Sequence, residues 1–200
     1  MENIDVINKL IALYKKFPTI GSKSATRLAY ATLSLSTKDR DEFIEAFNIC
    51  NNDIKKCPNC GIYYETKCPI CDDNTREKDK ILIISNQKDI YSIESTNSYK
   101  GTYYTLNGLI SPFKNISEEN IGVEKLQERI KENNVKEIII ALPTNLEGET
   151  TALYLAHLFK DSDIKVTKIA SGIPFGTNLE YLDQTTLSHS LSNRIEMEKD

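Results

Sequence analysis

The sequence predicts an α/β protein built in blocks: a helical N-terminal region, a small cysteine-rich segment, and a parallel-sheet domain that ends in a helical tail. Three observations carry this reading. Apolar residues recur at helical spacing up to residue 55. Four cysteines crowd into residues 57–71. From Lys80 onward, short apolar runs alternate with helical stretches.

In the first block the helical spacing runs through Ile4, Ile7, Leu10, Ile11 and Tyr14, then Ala25, Leu28, Ala29 and Thr32, then Phe43, Ile44 and Phe47. Breaks fall at Phe17–Gly21 and at Ser36-Thr37, where a hydroxyl can cap the next helix. Ile20 and Leu28 are expected to pack inside, and Cys50, on the third helical stretch, to be a small buried hydrophobe.

Residues 56–72 form the cysteine segment, and the polar residues 73–78 a connector. Ile81–Ile84 then reads as a buried parallel strand. A helix follows near Asp89–Glu94, a strand over Thr102–Leu106, a helix over Ile121–Asn133 and a strand over Glu137–Leu142. A helix over Glu149–Lys160 and a strand over Ile164–Ala170 complete the alternation, with a last helix near Thr185–Asn193. Such alternation calls for a parallel sheet with right-handed crossovers.

The chain of 200 residues has a net charge of −4, which alone argues mildly against a nucleic-acid partner. The average hides an asymmetry. Residues 1–56 hold 9 Lys and Arg against 7 Asp and Glu, a balance of +2, and the remainder sums to −6. No acidic residue lies between Val6 and Lys38, while Lys9, Lys15, Lys16, Lys23 and Arg27 do. A polyanion would therefore meet the N-terminal region first. No run approaches the length of a membrane span, and Glu2 and Asp5 do not fit a secretory signal, so a cytosolic protein is expected.

The cysteine pattern is Cys57-Pro-Asn-Cys60, seven residues, then Cys68-Pro-Ile-Cys71. Each pair can offer two thiolates to one ion, and two pairs complete a tetrahedral sulfur shell of the kind zinc prefers. Four protein ligands leave no open position for water or substrate, so one structural zinc per chain is expected. A redox reading needs a single Cys-x-x-Cys, which two matched pairs make the poorer account.

Between the first two helical stretches, Gly21 precedes a helix start where free backbone N–H groups make a phosphate seat. Lys23 and Arg27 lie four apart on one face of that helix. The stretch resembles a helix-hairpin-helix motif, with Thr19 standing where the motif carries its first glycine. An ordinary corner between helices is the plainer alternative. Gly21-Ser-Lys23-Ser is no P-loop, because it follows a helix and lacks the upstream glycine.

Taken in order, these pieces resemble the recombination mediator family RecR over nearly the whole chain. The resemblance is carried by the hairpin and four-cysteine finger, then Ile83–Asp89, Tyr99–Tyr103, Gly108–Pro112, Pro143–Tyr154, Ile169–Pro174 and Leu179–Tyr181. It implies a helix-hairpin-helix DNA-binding and oligomerisation region at 1–55 and a four-cysteine zinc finger at 56–72. It further implies a Toprim-like domain at 79–173 and an oligomerising tail at 174–200. Lys23 and Arg27, with Gly21, would contact single- or double-stranded DNA. The chain would form a ring-like homo-oligomer, a dimer of dimers, acting as a DNA clamp. Its partners would be RecO-type and RecF-type proteins, with which it loads recombinase on single-stranded DNA, in the bacterial cytoplasm at the nucleoid. No membrane partner is implied.

Toprim enzymes hold magnesium with a glutamate after the first strand and an Asp-x-Asp pair after a later one. Here those positions read Ser85-Asn86 and Glu147-Gly-Glu149, so two carboxylates stand where three are needed. The expectation is a protein without catalytic residues. The alternative is a magnesium-dependent nuclease or primase-like enzyme using Glu147 and Glu149. These carboxylates could instead touch a partner or favour a helix N-terminus. His157 and His189 are isolated in the sequence.

Overall fold

The computed structural model describes residues 4–195, and the chain divides after Ile54 into two compact units. The first holds three helices: α1 (Asp5–Tyr14), α2 (Ser22–Ser34) and α3 (Thr37–Asn52). Helices α1 and α2 pack together over Ile7, Ala25 and Ala29. The two alanines, one turn apart, keep that face of α2 flat enough for close approach. Ser36 caps α3 as expected, its Oγ accepting from the Asp39 amide at 3.1 Å. No described residue of α3 is buried, and Cys50 is exposed instead of buried. Leu28, expected inside, is exposed too, while Ile20 is half-buried. Helical spacing selects an apolar face but does not supply the surface that covers it.

The second unit opens with a hairpin, β1 (Lys55–Lys56) antiparallel to β2 (Tyr63–Tyr64), which carries the first cysteine pair between its strands. Then come β3 (Glu77–Ile84), α4 (Lys88–Glu94), β4 (Gly101–Thr105), α5 (Val123–Glu132), β5 (Glu137–Ile140), α6 (Leu146–Leu158), β6 (Lys165–Lys168) and α7 (Gln184–Ser192). The four longer strands form one all-parallel sheet in the order β4-β3-β5-β6. Ile81 and Ile83 point to one face, against Leu126, Ile130 and Leu155. Leu82 and Ile84 point to the other, against Ile90 and the cysteine segment. Both faces are covered, which is why this strand reads as an unbroken apolar run.

Two boundaries move by three residues or more from their expected places. Strand β3 starts at Glu77, inside the expected connector, because the Glu77 amide donates to the Lys100 carbonyl at 2.9 Å. Helix α6 starts at Leu146 because Asn145 caps it, its Oδ1 accepting from the Gly148 amide at 2.8 Å. A Cβ at Gly148 would stand 1.9 Å from the Pro143 carbonyl oxygen, so only glycine fits this turn. Where β3 and β4 begin, Arg76 is ion-paired with Glu94, which also accepts from the Tyr103 hydroxyl at 2.5 Å.

Candidate functional site

The four cysteine sulfurs converge, all within 4.8 Å of one another. Cys60 and Cys68 sulfurs are 3.4 Å apart, and those of Cys57 and Cys71 are 3.7 Å apart. A tetrahedral ion with metal–sulfur bonds near 2.3 Å sets its ligands about 3.8 Å apart, so the spacing fits one ion. A disulfide would need about 2.0 Å, and all four are free thiols. The turns after each pair are built for this. Gly61 adopts a φ of +80°, and its amide donates back to the Cys57 carbonyl at 3.0 Å. The Cys71 amide donates to the Cys68 sulfur at 3.3 Å, and the Thr105 hydroxyl of β4 donates to the Cys60 carbonyl at 2.5 Å. The last bond ties the finger to the sheet.

Charge is unevenly spread over the set. A hydrogen bond from the Cys60 thiol, helped by the Arg129 guanidinium, lowers Cys71 to about 5. The same hydrogen bond and burial push Cys60 up, and burial pushes Cys68 up. The centre therefore already concentrates thiolate character at Cys71, the form a metal requires.

Gly21, Lys23 and Arg27 lie together at the start of α2. Gly21 is its N-cap residue, and no side chain caps the helix, so its first amides stay open. Lys23 and Arg27 are exposed, and among the described residues neither is ion-paired. Gly21 itself has an ordinary φ of −81°, and a Cβ there would meet nothing. The left-handed residue of this turn is Thr19, at φ +69°. A β-branched residue in that region is strained by about 1–2 kcal/mol. The strain sits at the position the motif gives to glycine.

Glu147 and Glu149 lie in the first turn of α6, just past β5, at the carboxyl end of the sheet. They serve different partners. Ser111 Oγ donates to Glu147 at 2.7 Å and Lys114 Nζ lies 3.1 Å from it, which holds this carboxyl below its usual range. Lys168 Nζ grips both oxygens of Glu149 at 2.6 and 2.7 Å. After β3, the Asn86 side chain accepts from the Lys88 amide at 3.0 Å. Among the described residues, the cysteine set is the one cluster of three or more candidate metal ligands.

Sequence reasoning missed Arg129, which reaches the cysteine centre from α5. The available signal was a cation on the same stripe as Val123, Leu126 and Ile130.

A parallel sheet with a tetracysteine finger, a helical region before it and a helical tail after it defines a Toprim-domain protein with added modules. A Toprim domain model matches residues 79–170, and a model of the RecR C-terminal region matches residues 172–195. Three similar proteins carry the name Recombination protein RecR. That of Oenococcus oeni is 41% identical, over 98% of this chain and 100% of its own length. That of Limosilactobacillus fermentum is 40% identical over the same shares. That of Staphylococcus aureus is 41% identical over 96% of this chain and 97% of its own. The chain belongs to the RecR family of recombination proteins.

Proposed function

We propose that this chain is a non-enzymatic DNA-binding mediator of recombinational repair, in which the start of α2 holds phosphates and the cysteine centre holds one structural zinc. The observation that carries the DNA reading is the uncapped N-terminus of α2, with Lys23 and Arg27 exposed beside it and, among the described residues, without an ion pair. Open amides and two cations one turn apart suit phosphate oxygens and read no bases. That is helix-hairpin-helix behaviour, with Thr19 in the glycine conformation. Zinc suits the centre because four soft thiolates in a tetrahedron match its preferences, and the bound ion supplies folding energy to a segment too small for a core of its own.

What each unit leaves uncovered supports assembly with further copies. Apolar residues are exposed on α1–α3, and again after residue 172 at Phe175, Leu179, Tyr181 and Leu191. If each of these two surfaces pairs with its own copy about intersecting two-fold axes, the chain closes into a dimer of dimers, a ring that could encircle DNA. On this reading the Toprim-type unit meets RecO-type and RecF-type proteins, and the assembly helps load recombinase on single-stranded DNA in the bacterial cytoplasm, at the nucleoid. No described helix is long and apolar enough to cross a membrane. Against the magnesium-enzyme alternative, Lys114 and Lys168 already balance the two carboxylates, and asparagine and serine stand at the third position.

The test is DNA binding by anisotropy across a salt series, with a RecO-type partner present in a parallel arm. Replacing Lys23 or Arg27 by Glu is expected to weaken binding and to lower the salt slope by about one per residue. If K23E/R27E binds as the parent does, the phosphate seat lies elsewhere.

A further inference from the structure

Arg129 occupies a position that helix α5 should give to an apolar residue. It lies three residues after Leu126 and one before Ile130, on the core-facing stripe, and is 7% exposed. Its guanidinium makes two contacts. Nη1 donates to the Tyr103 carbonyl on β4, the edge strand, at 2.7 Å, and Nη2 approaches Cys71 Sγ at 3.8 Å. Among the described residues no carboxylate is ion-paired with it, although seven other basic side chains are so paired. The apolar residues of α5 pack on one face of the sheet and the cysteines on the other, so Arg129 reaches past the edge strand between two cores.

A guanidinium cannot lose its proton in a protein, and a buried charge needs a counter-charge. The Tyr103 carbonyl satisfies a hydrogen bond but offers no charge. The anion-forming group in contact is the sulfur of Cys71. Four thiolates around one divalent ion leave a formal excess of two negative charges, in a pocket where three of the four cysteines are buried. Each group lacks what the other supplies.

We infer that Arg129 is the charge-balancing and positioning residue of the tetrathiolate centre, holding the Cys71 sulfur in place and linking metal occupancy to the packing of α5 against the edge of the sheet. This rests on the reading of the cysteines as a zinc site. Removing the ion would free Cys71 Sγ from its fixed place beside Nη2 and would leave the buried Arg129 held by the Tyr103 carbonyl alone. Metal loss would then loosen α5 and β4, not the finger alone. Lysine at this position would keep the charge but could not span both contacts, because it lacks the planar fork.

The experiment begins with the zinc content of the purified full-length chain. It then follows zinc release to a colorimetric chelator in the parent, Arg129→Gln and Arg129→Lys, and amide exchange of the parent with and without metal. The expected result is release about 10–100-fold faster in R129Q, with R129K between the two. Stripping zinc from the parent should also remove protection from amides of α5. If R129Q folds, holds zinc and releases it at the parental rate, Arg129 only props the edge strand and the inference is overturned. Should R129Q fail to fold, the parent decides: α5 amides equally protected with and without zinc would overturn it. A parent free of zinc would overturn both the zinc reading and this one, which separates the two failures.

Discussion

In the N-terminal unit the apolar residues buried among those described are Ile7, Ala25 and Ala29, whereas the α/β unit buries both faces of its sheet. The contrast is not one of composition, since α3 alone carries Phe43, Ile44, Phe47 and Ile49, all exposed. The first three line, with Leu10, Tyr14 and Leu28, a groove of about 530 Å³ within the three-helix unit. A monomer rarely leaves so large an apolar surface uncovered, and such patches mark places where something else binds. The α/β unit carries its own core and a four-cysteine centre that can hold an ion as its staple. The helical unit leaves much of its apolar surface exposed among the described residues.

That contrast can be broken or sharpened by experiment, and the largest effect should come from the staple. Cys57→Ser should remove about one equivalent of bound metal and unfold the finger, because in small metal domains the binding energy is folding energy. Metal analysis with circular dichroism checks it, and a fully folded metal-free variant would show that the segment needs no ion. Next in size, Leu126→Ala should cost about 4 kcal/mol of the α/β unit's stability, as a cavity in a closed core does. Denaturant titration followed by tyrosine fluorescence measures it.

Smaller again is the ion pair between Arg76 and Glu94. Burial alone would push the Glu94 carboxyl up, but hydrogen bonds from Arg76 and Tyr103 outweigh it and hold it below its usual range. A carboxyl lowered on folding contributes stability that is complete above its unfolded value, about 4.3. That contribution is lost as the pH falls through the folded value. Glu94→Gln should therefore cost about 3 kcal/mol at neutral pH and progressively less as the pH falls below about 4.3, which denaturation across a pH series would follow. The smallest effect on the lone chain should come from Phe47→Ala. With the side chain 63% exposed, the loss at high dilution should stay below about 0.5 kcal/mol. At higher concentration the loss should grow and the molar mass by light scattering should fall, as expected if another copy covers α3. A cost equal to that of Leu126→Ala at every concentration would erase the distinction between the units.

How much of this is legible before any coordinates depends on the range of the interaction. The Ile81–Ile84 run, the alternation that follows, the Ser36 cap and the spacing of Cys57, Cys60, Cys68 and Cys71 are all local patterns, and the structure carries each of them. Covalent spacing along a few residues is enough to aim two thiolates at one point, and period alone separates strand from helix. The start of α6 escapes sequence reading because its cap, Asn145, lies ahead of the apolar pattern that reveals the helix. Cys50 and Leu28 are expected in an interior that, in the helical unit, buries Ile7, Ala25 and Ala29 but does not reach them.

What tertiary structure alone decided is the pairing of charges and the covering of faces. Nothing in the sequence joins Arg129 to Cys71, 58 positions away, or Glu147 to Lys114 and Glu149 to Lys168. These partners meet only because the parallel sheet brings distant segments together, Arg129 and Cys71 past edge strand β4 and the two glutamates with their lysines at the carboxyl end of the strands. The sequence by itself determined which segments become helix, strand and finger, since backbone sterics and side-chain periodicity act over a few residues. Electrostatic compensation acts through space at a few ångströms, and that distance exists only once the chain is folded.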